Sequence, residues 1–237
     1  MIFGKINDWL KRIASASHSC VPSMTGIIPK SFINQFIPDN SIIVEGGANR
    51  GYDTIEMSIL LPNATIHAFE PVPELFAQLE KNTGQYKNII CYPVALSDVT
   101  GKMKMYISEG GGNDSSSLLK PREHLIDHPA IAFKTALEVP TITLDDWAQN
   151  NEIKKVDFLW LDIQGYEFAV LKASPALLAN VAAIYTEVSL KETYEGVLLY
   201  PEFRQWLISR GFMVKREELP WHDMGNVLFV RQPPGKA

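Results

Sequence analysis

Four acids stand at or near the ends of four apolar runs: Glu45 closes SIIVE, Glu70 closes TIHAFE, Asp162 closes VDFLWLD and Glu187 lies in AAIYTEV. Directly after Glu45 the chain reads Gly46-Gly47-Ala48-Asn49-Arg50-Gly51. A glycine turn between a strand and a helix lets the backbone come close to a ligand, because no Cβ intervenes. A carboxylate ending the neighbouring strand, here Glu70, can take both hydroxyls of a ribose. Glycine turns are common, and a single acid at a strand end can be a solvated surface residue. Four acids at four strand ends, where ligands of open α/β sheets bind, indicate a nucleotide-type site.

The elements that must position these groups follow from the pattern. Apolar runs at 41–45, 65–70, 89–94, 156–162 and 182–188 alternate with helical segments, which predicts an α/β fold with a mainly parallel sheet and helices on both faces. A helix is expected from Asp53 to just before Pro62. Pro73 opens another, since proline suits a first helical turn. Further helices fall at 166–173 and 201–210, the last stopped by Gly211. The runs at 212–216 and 226–230 have no helix between them, so they are expected to pair as an antiparallel hairpin and complete a seven-stranded sheet. Residues 108–137 contain SEGGGNDSSS and KPREHLIDHPAIAFKTA and break the rhythm. A long irregular stretch in a compact domain is usually functional or disordered, and this one is expected to be a lid over the site. Residues 1–38 are read as an N-terminal helical extension and 39–237 as the main domain.

Composition narrows the class. The chain has 237 residues, 46% hydrophobic and 21% charged, with net charge −5. That suits a globular protein with a sizeable core, and the acidic balance, with no Lys/Arg run, speaks against nucleic acid as a partner. No apolar run is as long as a membrane span. Cys20 and Cys91 form neither a disulfide framework nor a metal-ligand spacing, so reduced thiols and a cytoplasmic location are expected. Ile2, Phe3, Ile6, Trp9, Leu10 and Ile13 fall at helical spacing, with Lys5, Lys11 and Arg12 elsewhere on the wheel. Such a stripe can lie on a membrane surface, but it more simply docks on its own domain or on a second copy in a homodimer.

The segments VEGGANRGYDTIEMS, IHAFEPVPELFAQLEKN, PVALSDVTG, PTITLDDW and DFLWLDIQGYEFAVLKA, in this order, resemble the FkbM family of methyltransferases from Ile42 to Glu187. The resemblance implies a Rossmann-like class I methyltransferase fold, S-adenosylmethionine as cofactor, and a hydroxyl on a saccharide, glycan or polyketide-like small molecule as acceptor. Residue by residue, it implies that Glu45, Gly46, Gly47, Ala48, Asn49, Gly51 and Tyr52 meet the methionine part of the cofactor and that Glu70, followed by Pro71, holds the ribose. Ala95, Leu96, Ser97 and Asp98 would then lie near the adenine, with Asp98 accepting from its amino group; plain turn chemistry is the other reading of Asp98. The chain departs from the family at two places. It has Glu45 where Asp is common, and Trp160-Leu161-Asp162-Ile163-Gln164-Gly165 where Lys-x-Asp-x-Glu-Gly is frequent. If the missing Lys and Glu serve the acceptor, the acceptor class differs here.

Methyl transfer to a hydroxyl needs a group to take the hydroxyl's proton. Candidates are Asp162, the His222-Asp223 pair between the last two strands, His124 and His128. A histidine titrates near neutrality, but His222 can equally be an exposed loop residue, and Asp162 can be a helix cap. His67 alternates with buried neighbours on a strand and reads as structural. Asp162 and Glu187 end neighbouring strands and can in principle hold Mg²⁺, yet no dense ligand spacing is present and no metal is expected. Two other classes compete. A nicotinamide-dependent oxidoreductase shares this type of fold, but 46–51 does not give G-x-G-x-x-G from either glycine. A non-catalytic S-adenosylmethionine-binding or assembly module would use the N-terminal helix as its interface.

Overall fold

The computed structural model describes residues 27–110 and 114–232, so the apolar stripe at 2–13, Cys20 and most of the N-terminal extension lie outside the described residues. The chain runs α1 (Lys30–Ile33), β1 (Ile42–Gly46), α2 (Tyr52–Leu60), β2 (Thr65–Phe69), α3 (Pro73–Thr83) and β3 (Ile89–Tyr92). It continues through β4 (Ala95–Leu96), β5 (Gly101–Glu109), α4 (His124–Asp127) and β6 (Ala132–Ile142). The last part is α5 (Leu144–Asn150), β7 (Phe158–Leu161), α6 (Glu167–Ala173), α7 (Pro175–Leu178), β8 (Ala183–Ser189), α8 (Tyr200–Ser209), β9 (Phe212–Glu218) and β10 (Met224–Arg231).

The main sheet has seven strands in the order β3-β2-β1-β7-β8-β10-β9. Five are parallel, and β10 runs antiparallel between β8 and β9. The apolar runs are nearly continuous because both faces are covered. Val44, Leu159, Leu161 and Ile184 pack with Trp147, Val170, Leu171, Phe203 and Leu207 on one face. Ile43, Phe158, Trp160 and Tyr185 pack with Ile33, Met57 and Leu61 on the other. The chain leaves β1 towards β2 and returns on its other side at β7, so the strand order reverses there. Side chains can line the crevice that opens at the carboxyl ends of such strands. Among the described residues no helix is long and apolar enough to cross a membrane.

Residues 108–137 are not irregular throughout. Strand β5 reaches Glu109 and β6 begins at Ala132, and the two pair antiparallel from Gly101↔Thr141 to Glu109↔Ala132. With β4 beside β6 they form a second sheet of three strands. Lys102 and Lys104 alternate with Met103 and Met105 in β5, which is a period-2 signal. In β6 the alternation is blurred, because most side chains there are at least partly exposed. This sheet packs Met105 and Val139 against Val72 and Leu75, at the start of α3.

Candidate active site

The turn after β1 is shaped by three backbone positions. Gly47 and Gly51 both have φ +81°, and Asn49 has φ +50°. A Cβ on Gly47 would stand 1.9 Å from the carbonyl oxygen of Asp162, so only glycine fits. The amides of Gly47 and Ala48 both donate to the Phe69 carbonyl, at 3.1 and 2.9 Å. That leaves the amide of Asn49, which donates to Glu70 Oε2 at 2.9 Å. The other carboxylate oxygen, Oε1, accepts from the Val72 amide at 2.8 Å. Glu70 is therefore held by one N–H on each oxygen, and each keeps acceptor capacity for a further donor.

The turn and the ends of β2, β4 and β7 enclose an open cleft of about 540 Å³. Gly47, Asn49, Glu70, Pro71, Ala95, Leu96 and Asp162 line it. Phe69, Leu75, Met105, Leu118, Ile163 and Tyr166 add apolar wall, and Asp114, Ser116 and Gln164 add polar wall. Three carboxylates face the cleft, and among its described lining residues there is no Lys, Arg or His. Arg50 stands at the rim, engaged with Gln78, Asn49 and Asp114.

Burial sets the charge of these acids. It raises Glu70 to about 7, against the pull of the Val72 and Asn49 amides and of Arg50. Burial raises Asp162 to about 6, opposed by the hydrogen bond from Gln164 and assisted by Asp53 and Asp114. Glu45, 1% exposed, is raised to about 8 by burial and by Asp53, against Thr54 and Lys30. Its Oε2 is buried without a hydrogen-bond partner. Glu167 accepts from the Ile163 amide at 2.9 Å, and burial raises it to about 7.

Several expected site residues stand elsewhere. Glu45, Gly46, Ala48, Gly51 and Tyr52 shape or flank the turn without lining the cleft, and Tyr52 points largely to solvent. Ser97 is fully buried. Asp98 reaches the cleft only through Tyr166, whose hydroxyl donates to Asp98 Oδ1 at 2.8 Å. Asp162 does not cap α6: the cap position is Tyr166, and Asp162 Oδ1 accepts from the Gln164 amide at 2.8 Å. His222 and Asp223 do not line the cleft either. Asp223 is buried and pairs with His128 at 2.8 Å, while His222 pairs with Asp127 at 3.1 Å. These two pairs tie α4 to the loop between β9 and β10, so the histidines are used in holding the insertion in place. His124 is likewise buried beside His128 and Tyr194. His67 accepts or donates at Tyr92 Oη, 3.0 Å away, lies edge-on to Trp147, and burial lowers it to about 4. Among the described residues no group of three or more His, Cys, Asp or Glu is arranged to hold a metal.

The two departing positions of the 160–165 segment, Trp160 and Gln164, separate spatially. Trp160 stacks on Tyr185 at 3.9 Å with Lys30 Nζ 4.7 Å above its ring, away from the cleft. Gln164 lines the cleft. Sequence reading gave no role to Gln164, Asp114, Ser116 or Tyr194. Gln164 was visible as a departure, and the polar 113–117 stretch was visible as a candidate cover. Tyr194 carried no signal, because its position depends on how the loop after β8 returns.

The family model for the methyltransferase FkbM domain matches residues 45–214. A 2-O-methyltransferase, NoeI, of Sinorhizobium fredii is 30% identical over 182 residues, covering 75% of each chain. The hexuronic acid methyltransferase AglP of Haloferax volcanii is 22% identical over 151 residues, covering 63% of this chain and 56% of that protein. The solved structure of M. capricolum TrmK with S-adenosyl-homocysteine superposes with a TM-score of 0.50 at 10% identity, covering 85% of this chain and 67% of that one, and shares the fold.

Proposed function

The chain belongs to the FkbM family of methyltransferases and is an S-adenosylmethionine-dependent enzyme; from that premise we propose that it methylates a hydroxyl of an uncharged saccharide, glycan or similarly hydroxylated small molecule, with Asp162 taking the hydroxyl's proton. The observation that carries this reading is the charge of the cleft: Glu70, Asp114 and Asp162 line it and, among the described residues, no cationic side chain does. Such a lining attracts a cationic ligand and repels an anionic one. When bound, the cofactor supplies an electrophilic methyl on a positively charged sulfur.

The residues present fit that group. Glu70 keeps acceptor capacity on both oxygens for two ribose hydroxyls. The absence of a Cβ at Gly47 lets the turn pack directly against the Asp162 carbonyl, which sets Asp162 beside the turn. Phe69, Pro71, Leu75, Ala95 and Leu96 supply an apolar slot for a flat base. In this reading Asn49 and the turn flank the methionine part, and Asp162 stands beside the transferring methyl. With no histidine among the described lining residues, Asp162 is the carboxylate placed to accept a proton and, at about 6, is ionised at neutral pH. It is open to the cleft, so a bound cofactor and acceptor would exclude water from it and strengthen each electrostatic contact.

AglP is named for a hexuronic acid, and NoeI for a 2-O position. The acidic cleft favours neutral acceptors over hexuronates here. The test is a screen of neutral sugars, hexuronates and polyketide alcohols, read by release of S-adenosylhomocysteine. We expect transfer to neutral hydroxyl compounds, with kcat/KM for matched hexuronates lower by about tenfold or more, since like charges brought together are disfavoured. Preferred turnover of the hexuronate would overturn the charge argument.

A further inference from the structure

Asp162 follows the last residue of β7, and Glu187 lies in β8. The register Leu161↔Thr186 sets the two acids side by side at the carboxyl edge of the sheet. Asp162 is open to the cleft and Glu187 is half-buried beside it, and two such charges side by side are disfavoured unless something lies between them. What lies between them is one amide nitrogen. Gln164 Nε2 is 2.8 Å from Asp162 Oδ1 and 2.9 Å from Glu187 Oε2. An amide NH₂ carries two hydrogens, so each carboxylate receives one.

We propose that Gln164 is a positioning residue that holds Asp162 and Glu187 as a pair sharing one proton, with Asp162 the ionised member that faces the acceptor.

The amide is fixed from three sides. Tyr194 Oη lies 2.9 Å from Gln164 Oε1 and 2.8 Å from the Ser115 carbonyl, so its single proton is shared between these two acceptors and the Gln164 nitrogen is left facing the acids. The Gln164 carbonyl accepts from Ser117 Oγ at 2.7 Å. The backbone is left-handed at Gln164, φ +53°, and at Gly165, φ +93°. A Cβ on Gly165 would stand 3.0 Å from Val197 and 3.4 Å from Tyr194, so the turn packs closely against the segment that carries Tyr194. A residue serving only to fill space would not need this set of bonds.

The surroundings divide the pair. Asp53 and Asp114 face Asp162, and Asp162, Glu167 and Asp223 face Glu187; Tyr185 and Tyr194 also lie within the field of both acids. Asn226 is opposite Glu187 in the sheet register. Desolvation raises Asp162 to about 6 against the Gln164 hydrogen bond, and desolvation with Asp162, Glu167 and Asp223 raises Glu187 well above the ordinary carboxylate range. In the proposed arrangement the proton sits on Glu187 and the charge on the member that lines the cleft. The acceptor's O–H proton then has an empty site on Asp162. This inference rests on Asp162 as the proton-taking group.

The test is a ¹³C carboxylate titration of the cofactor-free protein, with Asp162→Asn and Glu187→Gln spectra assigning the signals, beside the pH profile of kcat. Wild type should show two steps, Asp162 near 6 and Glu187 well above the ordinary carboxylate range. Glu187→Gln should remove only the upper step. Gln164→Leu should raise the Asp162 step by about one unit and carry the acid limb of kcat with it, a tenfold loss of the ionised form below that limb. Gln164→Glu, nearly equal in volume, guards against misfolding and should move the step the same way. A Gln164 variant that lowers stability but leaves the steps and the acid limb in place would overturn the proposal. So would a wild type in which both acids titrate below 5. Absence of methyl transfer to any hydroxyl, with the titration as expected, would instead count against the assigned reaction.

Discussion

At the scale of single residues, the carboxylates differ in how they are tied down, and their variants should differ accordingly. Glu70 holds the Asn49 and Val72 amides and, in our reading, two ribose hydroxyls. A hydrogen bond to a charged group is worth about 1.5–3 kcal/mol, so Glu70→Gln should weaken S-adenosylhomocysteine by about tenfold to a hundredfold. The new NH₂ group must also face one backbone N–H, so the variant should melt lower. Calorimetry finding unchanged affinity in the folded variant would remove Glu70 from the cofactor site. Asp162→Asn keeps shape and loses the proton-accepting form. It should leave cofactor affinity within about threefold, a change of under 1 kcal/mol, and cost about a hundredfold or more in kcat, the usual scale of a general base. Full turnover in this variant would assign the proton to another group.

At the scale of elements, the glycine turn is held by the strand beside it as much as by a ligand. Gly47→Ala would drive its Cβ into the Asp162 carbonyl and hold an L-residue at φ +81°. The turn and β7 cannot both keep their places, so the variant should lose about 2 kcal/mol or more of stability. A melting temperature equal to wild type would show that the backbone relaxes. The insertion between β5 and β6 is anchored differently. Ser117 bonds Gln164, Tyr194 bonds the Ser115 carbonyl, and α4 is pinned by the His128–Asp223 and His222–Asp127 pairs. Asp114, Ser116 and Leu118 thereby form one wall of the cleft. We expect amides of 114–118 to gain hydrogen-exchange protection when S-adenosylhomocysteine and acceptor are both present. Equal exchange with and without them would mean that the segment is wall and not lid.

At the scale of the whole molecule, five carboxylates, the buried Glu45, Glu70 and Glu167 with Asp162 and Glu187 beside them, all have raised pKa values, chiefly through loss of hydration. A raised carboxylate binds its proton more tightly in the folded state than in the unfolded one. Its favourable contribution is present at low pH and is lost as pH rises from the unfolded value, near 4, through the folded one. His67, lowered by burial to about 4, and His124, also lowered by burial, act in the opposite direction below about 6.5. Five groups against two should make the cofactor-free protein less stable at pH 8 than at pH 6. S-adenosylmethionine, which brings a positive charge to the acids, should raise the melting temperature more at pH 8 than at pH 6. Thermal melts at the two pH values check both signs, and stability rising with pH would refute the burial argument.

Much of the framework is local and therefore readable in the chain. Continuous apolar runs require strands covered on both faces, Pro73 can only open a helix, and Gly211, at φ +85°, ends one. Glycine between Glu45 and Tyr52 already specifies a turn, and an acid closing the next strand, Glu70, already suggests the ribose reading proposed above. Tertiary structure decided what depends on long-range approach. The second sheet was hidden because the residues of β6 are mostly exposed and alternate weakly. His222 and Asp223 read as candidate bases by type alone, and only the fold shows them spent on α4. Gln164 read as a departure from a pattern. Its place between Asp162 and Glu187 exists only because β8 lies beside β7 and Tyr194 returns to orient it, and a side chain's hydrogen-bond partners are set by that packing and not by its neighbours in sequence.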